Sequence, residues 1–392
     1  MNGQENMRHY AKIYKDELLN KVVPFWEKFS PDLEYGGYFS CLSPEGKVYD
    51  TDKFIWLQAR QVWTFAKLYL DVEPRDSWRE MAFLGAEFLK KYGRDINGNW
   101  YFSLNRSGKP LVQPYNIFSD CFAAMAFGKL YEVSKEEEHA QIALDTFQNI
   151  LKRQKNPKGK YNKIVPATRE LQNFALPMIL CNLALELEPL LGKGQVDTLT
   201  DGISDLILSE FYDTERGLVL ENISANGAFI DSFEGRLLNP GHAIEAMWFI
   251  MNLGLRKNDT VMISKAEQIM YQQLEHGWDK EYGGIYYFMD VKGHPPQQLE
   301  WDQKLWWVHL EALIALAKAY AWGKNENAKA WFQKVHQYSW EHFRDKEHGG
   351  EWYGYLNRQG QVLLALKGGK WKGCFHVPRA LMEVSKILES VS

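Results

Sequence analysis

Cysteine is scarce in this chain. Cys41, Cys121, Cys181 and Cys374 are the only four in 392 residues, they lie far apart, and none forms a Cys-x-x-Cys pair. That spacing argues against a zinc ribbon or a disulfide framework. It suits a reducing compartment, so the expected location is the cytoplasm. No apolar run reaches the roughly 18 residues that a membrane span requires. The opening Met1-Asn2-Gly3-Gln4-Glu5-Asn6 has neither the basic nor the apolar region of a signal peptide. Charge of one sign is missing as well: 46 Lys and Arg face 50 Asp and Glu, for a formal net charge of −4. Such a chain carries no basic field for nucleic acid. Low-complexity segments are absent, and the longest charge run is Glu136-Glu137-Glu138. No Gly-x-x-x-x-Gly-Lys-Ser/Thr loop is present, which excludes a P-loop kinase.

Aromatic residues are plentiful, with 15 Trp, 20 Tyr and 21 Phe. Most rings of such a set pack between elements of the core. Others can wall a pocket, because they present a flat apolar face beside a polar edge. That combination suits sugar rings, whose C–H faces are apolar and whose rims carry hydroxyls.

One pattern recurs along the whole chain. Segments open at Asp32, Asp95, Asp213, Asp279 and Asp345, reach Gly within about four residues, and run into aromatic or branched residues. A second glycine (Gly46, Gly108, Gly227, Gly293, Gly360) follows 14, 13, 14, 14 and 15 residues after its Asp. The spacing reads as a turn, a short hairpin and the start of a helix. The Asp-to-Asp steps are 63, 118, 66 and 66, and the long step implies one degenerate copy between Asp95 and Asp213. Six units of roughly 60 residues result, each able to bury its apolar face only against its neighbours. Helical periodicity is expected over 6–29, 55–70, 76–92, 117–132, 136–153, 170–191, 196–211, 240–255, 260–276, 303–321, 325–343 and 373–390. Alternating inner and outer helices that close into a ring form an all-α (α/α)6 barrel with short β-hairpins at one end. We see no polar capping repeat of the kind an open solenoid needs. The expectation is therefore one closed domain over 1–392.

In such a ring the inner helices start near the axis, at the hairpin end. Three starts superimpose: His242-Ala243-Ile244-Glu245-Ala246, Val308-His309-Leu310-Glu311-Ala312 and His376-Val377-Pro378-Arg379-Ala380. Positions i and i+3 share a helix face. His242 and Glu245 are therefore expected to project together, as are His376 and Arg379, both pairs toward the cavity. Two histidines approaching one volume from equivalent repeat positions suit removal of a proton from one face of a carbon and its return to the other. Imidazole both gives and takes protons near neutrality. Glu245 is expected to orient or charge-balance His242. Arg379 is expected to hold His376 neutral and to steady a developing enolate oxygen. His9, His139, His276, His294, His309, His336, His342 and His348 are read as structural. Arg60 either snorkels outward or lines the cavity. At the second inner helix, Ser119 or Asp120 is the expected cap, and Asn116 could hydrogen-bond a sugar.

These residues make the family recognisable. The chain resembles the N-acylglucosamine 2-epimerase family along essentially its full length. The resemblance rests on Tyr49-Asp50-Thr51-Asp52-Lys53 to Arg60-Gln61-Val62-Trp63, on Gln113-Pro114-Tyr115-Asn116-Ile117-Phe118-Ser119-Asp120, and on Asp231 through Gly235-Arg236-Leu237 to Asn239-Pro240-Gly241-His242. It continues in Glu300-Trp301-Asp302-Gln303-Lys304-Leu305-Trp306-Trp307 and in Lys370-Trp371-Lys372-Gly373-Cys374-Phe375-His376-Val377-Pro378-Arg379. It implies an (α/α)6 barrel and reversible C2 epimerisation of N-acetyl-D-glucosamine and N-acetyl-D-mannosamine, the latter a sialic acid precursor. It also implies that His242 and His376 are the acid–base pair, with Arg60, Glu311 and Arg379 important in the pocket and Trp307 and Trp371 among its aromatics. The cellobiose 2-epimerase branch of the same superfamily carries a third pocket histidine on the inner helix of the third unit. Leu171-Gln172-Asn173-Phe174-Ala175-Leu176-Pro177-Met178 has none, which favours the N-acyl sugar branch.

In the degenerate third unit, Asn156-Pro157-Lys158-Gly159-Lys160-Tyr161-Asn162-Lys163 is a basic, glycine-bearing loop. Such a loop suits phosphate or is simply a solvated tip. The resemblance implies ATP as an activator that is not consumed, placing Lys158, Gly159, Lys160 and Lys163 at its site. No metal is expected. The expected partners are an amino sugar and a second copy of the chain in a homodimer. Other readings are a cellobiose 2-epimerase or aldose–ketose isomerase of the same superfamily, and a glycoside hydrolase using Glu245 and Glu311 as its two carboxylates. An interaction protein built on a leucine zipper is disfavoured. Leu176, Leu183 and Leu190 are seven apart, but Asp197 follows, and Pro177 and Pro189 interrupt.

Overall fold

The computed structural model describes residues 3–165 and 168–391. Six inner helices follow one another around an axis: α3 (Ile55–Asp71), α5 (Ile117–Ser134), α7 (Ala175–Glu186), α10 (Pro240–Lys257), α12 (Trp306–Gly323) and α14 (His376–Ser390). The outer layer begins with α1 (Gly3–Glu17), which passes through a π-helical turn into α2 (Val23–Phe29). It continues with α4 (Asp76–Tyr92), α6 (Glu137–Arg153), α8 (Glu188–Leu191) with α9 (Lys193–Asp205), α11 (Thr260–Gly277) and α13 (Glu326–His342). The arrangement is the (α/α)6 barrel. Inner helices such as α5 and α12 are buried nearly all round, whereas the outer ones are amphipathic and face water on one side.

The ring closes between α14 and α3. Thr64 Oγ1 donates to the Cys374 carbonyl at 2.9 Å, and the Trp63 and Phe375 rings lie 5.3 Å apart. The first outer helix covers the last inner one, with Arg8 Nε donating to the Val391 carbonyl at 3.3 Å. All four cysteines are buried and unpaired. No helix among the described residues is long and apolar enough to cross a membrane.

Strand pairing fastens four of the units to the next. The strand that leads into an inner helix pairs antiparallel with the following unit's hairpin. Lys53–Phe54 pairs with Ser103–Leu104, Leu171–Asn173 with Asn222–Ser224, Leu237–Leu238 with Met289–Asp290, and Lys304–Leu305 with Tyr355–Leu356. The last unit returns to the first, where Lys367 N donates to the Leu42 carbonyl at 2.9 Å. The repeated Asp explains the turn. Its Oδ1 accepts from the backbone N–H groups of the residues two and three ahead, as at Asp32, Asp213, Asp279 and Asp345. In three units its Oδ2 also holds a fully buried lysine from the segment before the inner helix: Lys53 and Lys304, in strands, at 2.9 and 3.0 Å, and Lys367, in irregular chain, at 2.8 Å. Each such pair ties a hairpin to the helix start it must position.

Three expected boundaries differ. The third inner helix begins at Ala175 rather than 170, because Leu171–Asn173 forms the strand that pairs with the fourth unit. Residues 303–305 and 373–375 likewise lead into their helices rather than belonging to them. The degenerate unit thus keeps its strand and inner helix, and among the described residues a 3-10 turn (Gly159–Tyr161) stands where other units carry a hairpin.

Two helical glycines give opposite expectations for one substitution. A Cβ at Gly85 in α4 would sit 2.4 Å from the Tyr38 ring, whereas one at Gly202 in α9 meets nothing within 4 Å. Gly85→Ala is expected to destabilise by about 1–3 kcal/mol through overpacking. Gly202→Ala is expected to stabilise by about 0.5–1 kcal/mol through reduced backbone freedom. Urea unfolding of both variants reads the signs; equal signs contradict this packing.

Candidate active site

The first turns of the inner helices surround a cavity of about 510 Å³ at the hairpin end. Local sequence places each group. Asn239 caps α10, its side chain accepting from His242 N at 3.1 Å, and Pro240 pre-sets the first helical residue. His242 therefore sits in the first turn. Gly241 allows α12 to approach, since a Cβ there would lie 2.7 Å from Trp307 and Val308. His376 opens α14, with Pro378 in the same turn. His242 and His376 both line the cavity. The Trp307 ring lies between them, its centroid 5.3 Å from that of His242 and 6.0 Å from that of His376.

A carboxylate behind each imidazole fixes its tautomer. His242 Nδ1 donates to Glu221, at 3.0 and 3.1 Å from the two oxygens. His376 Nδ1 donates to Glu311 Oε1 at 2.8 Å. Each ring thus keeps Nε2 free of these partners. The electrostatic settings are opposite. Burial presses the His242 pKa down, but the Glu221 carboxylate outweighs it, and the net shift is upward. Burial drives His376 well below its ordinary value, and the charges of Arg60 and Arg379 add to that against Glu245. The Glu311 carboxylate that holds Nδ1 is itself shared with Arg379 at 2.6 Å.

Arg379 is the centre of a buried charge cluster. One terminal nitrogen lies 2.6 Å from Glu245, 2.6 Å from Glu311 and 3.4 Å from His376 Nδ1. The Trp248 indole donates to the other Glu311 oxygen at 2.9 Å. Glu245 pairs with Arg379 and does not orient His242, but its charge helps raise the His242 pKa, the charge-balancing half of the expectation. Glu221, from the preceding hairpin, orients His242. Glu245 borders the cavity, while Glu311 and Arg379 stand behind its wall. Glu245, Glu311 and His376 also bring three ligand-type atoms within 4.8 Å of one another. The Arg379 guanidinium already supplies the cation on which they converge.

Arg60 points inward. Its guanidinium is packed among the rings of Trp56, Phe122 and Phe375 at 4.5, 3.9 and 4.6 Å. Asn116 lines the cavity and is itself the cap of α5, accepting from Phe118 N at 2.9 Å, so Ser119 and Asp120 are not caps. Asp120 is buried and pairs with Arg153 at 2.9 Å. Trp371 is half exposed and lines the cavity near Trp56, with ring centroids 5.9 Å apart. His309 is buried away from the cavity. Its Nδ1 donates to the Leu305 carbonyl, its Nε2 accepts from Ile285 N, and burial pushes its pKa down to about 3. Lys158, Gly159, Lys160 and Lys163 are exposed and do not line the cavity.

Sequence reasoning missed Glu221, Trp248 and Trp56. The only signal for Glu221 was an acid ending the apolar run Leu218-Val219-Leu220. The α7 wall, where the cellobiose branch would carry its histidine, presents Ala175, Met178 and Ile179.

Comparison with known proteins agrees with this architecture. A family model described as N-acylglucosamine 2-epimerase (GlcNAc 2-epimerase) matches residues 37–380. The chain is 36% identical to the N-acylglucosamine 2-epimerase of Mus musculus over 400 residues, covering 98% of this chain and 94% of the mouse protein. It is 37% identical to that of Bos taurus over 403 residues, covering 99% and 94%. Its backbone is similar to that of cellobiose 2-epimerase from Bacillus thermoamylovorans, with a TM-score of 0.83 at 20% identity over 96% of this chain and 99% of that one, a likeness of fold. Matched over nearly its full length, this chain belongs to the N-acylglucosamine 2-epimerase family and is an enzyme of the isomerase class.

Proposed function

We propose that the protein interconverts N-acetyl-D-glucosamine and N-acetyl-D-mannosamine by moving the proton on C2 between His376 and His242. The observation that carries this reading is the pair of histidines flanking Trp307 in one cavity, each with Nδ1 on a carboxylate and the two with opposite pKa shifts. Paired titratable groups whose surroundings separate their pKa values are the usual signature of an acid–base division of labour. Neutral His376 is the base of the resting state, and His242, held toward imidazolium by Glu221, is the acid.

The path begins with the open-chain sugar, whose C1 aldehyde acidifies H2. His376 removes H2 and the electron pair moves onto the C1 oxygen, giving an enediolate-like 2-acetamido enolate. His242 then returns a proton to the opposite face of C2. Arg60 provides fixed positive charge beside the cavity. The N-terminal ends of six inner helices converge there and add to it. Both favour the oxyanion without reorganising during the step. The apolar α7 wall of Ala175, Met178 and Ile179 suits an N-acyl methyl group better than a bare hydroxyl.

A second part of the proposal is that ATP binds the Lys158–Lys163 loop as an effector that is not consumed. Inverting one carbon centre is nearly isoenergetic and needs no phosphoryl transfer. The exposed lysines offer phosphate-binding charge, and Gly159 adopts φ +52°. The loop is tied to the barrel through Tyr161 OH, which donates to Gln113 at 2.9 Å, and through Arg153, which reaches the Pro157 carbonyl and Asp120 on α5.

Two outcomes follow. Protein incubated with N-acetyl-D-mannosamine in D2O should yield N-acetyl-D-glucosamine carrying deuterium at C2. His242→Ala and His376→Ala should each lower kcat by about 10²–10⁴-fold, with the fold intact by circular dichroism. No conversion of either sugar with ATP present would sink the assignment, and a variant keeping a tenth of the activity would remove its histidine from the chemistry. For the loop, the double variant Lys160→Ala, Lys163→Ala should bind ATP at least about tenfold more weakly by calorimetry, since two charged contacts are lost. Equal affinity in both proteins places the nucleotide elsewhere.

A further inference from the structure

A second, far smaller void lies next to the cavity, one helical turn further along the inner helices. Its volume is about 10 Å³, and it shares Arg60, Phe122, Ile179 and Glu245 with the cavity above. Arg379 and Asn182 complete its polar lining. Two independent features mark it as a binding site. Nε of Arg60 and Nε of Arg379 are both buried with no hydrogen-bond partner in the protein, on side chains more than nine-tenths buried. A buried N–H left unpaired costs about 1–3 kcal/mol, and more on a charged group, so two such donors bordering one void call for a shared acceptor.

We propose that this void binds a single water molecule, which accepts from Nε of Arg60 and Nε of Arg379 and donates to Glu245 and to the Asn182 side-chain oxygen. The volume is about the least that takes a water, and four polar partners lie at the top of the range of about two to four that a buried water uses. Water fits better than a halide, because the site mixes donors with the Glu245 carboxylate, which repels an anion. A sodium ion is excluded by the two guanidinium donors. The water gives Arg60 a polar anchor. Among the described residues no carboxylate pairs with Arg60, which is held by aromatic faces alone. Anchored at Nε, it keeps its terminal N–H groups toward the cavity. The same water joins Arg60 to the Arg379–Glu245 pair that sits behind His376. Asn182 is thereby a positioning residue, acting on Arg60 through the water.

The first test does not depend on the assigned activity. Crystals of the full chain grown with bromide as the only halide should show one ordered peak within hydrogen-bond distance of both Nε atoms and without anomalous signal. An anomalous bromide peak, no peak, or a peak reaching only one guanidinium overturns the proposal. The second test, which rests on the epimerase reading, separates positioning from packing. Asn182→Leu removes the acceptor at similar volume, and Asn182→Asp keeps it. With both variants folded, the Leu variant should lose about tenfold in kcat with KM near the wild-type value, since the loss falls on the transition state, while the Asp variant retains most activity. If Leu is tolerated as well as Asp, Asn182 only packs, and the water has no positioning role.

Discussion

The contact on which this site depends is the bridge made by Arg379. It joins Glu245 on α10 and Glu311 on α12 to a cation on α14, at 2.6 Å each. Three of the six inner helices are thus held in register on the face that carries both histidines. The charges are buried, so their mutual neutralisation is required: leaving a buried charge without its partner costs about 3–5 kcal/mol. The bridge also sets the chemistry. Arg379 shares the Glu311 carboxylate that orients His376. Among the described residues Glu221 pairs with no Lys or Arg, and it raises His242. Two similar carboxylate–imidazole pairs therefore titrate in opposite directions, His376 being driven down by burial and by the charges of Arg60 and Arg379.

The barrel supplies the second constraint. Six parallel inner helices put their N-terminal ends at the cavity and their C-terminal ends at the far side. At the far side α10 carries Arg256 and Lys257 in its last turn, while Lys67, Lys129 and Lys318 lie further in and pair with acids, at 3.6 Å from Glu383, 3.2 Å from Glu186 and 3.8 Å from Glu383. Cations at helix C-termini and developing anions at N-termini are both favourable. The same dipoles would favour the enolate of the proposed reaction at the cavity end. The buried Asp–Lys pairs of the hairpins add rigidity: Asp32–Lys53 and Asp279–Lys304 fix the strands from which α3 and α12 start, and Asp345–Lys367 fixes the segment before α14.

Much of this was legible in the sequence because the repeat is a physical unit. The Asp-to-Gly spacing is a turn with a side-chain acceptor, so it located the hairpins. The helix starts after them located His242 and His376. What was not legible is contact across units. The i, i+3 rule places Glu245 beside His242 on one helix. It carries no information about Arg379, which is 134 residues away in sequence and reaches Glu245 across the axis. Glu221 lies 21 residues before its histidine, on a strand whose placement depends on the ring. At α5, Ser119 and Asp120 are better-known caps by position in the motif, but the helix begins at Ile117, and that makes Asn116 the cap. The third inner helix was read too long because an apolar run of a few residues suits strand and helix alike.

The central claim is that His242 and His376 titrate on opposite sides of the ordinary histidine value. Nitrogen-15 NMR of the ring nitrogens, assigned by single substitution, measures this across a pH titration. The account predicts that His242 stays doubly protonated to a pH above the ordinary histidine value of about 6.5, because its folded pKa is raised. It predicts that His376 stays neutral, with the proton on Nδ1, to a pH well below that value, because its folded pKa is lowered. Two histidines titrating together near 6.5, or in the reverse order, would contradict the account.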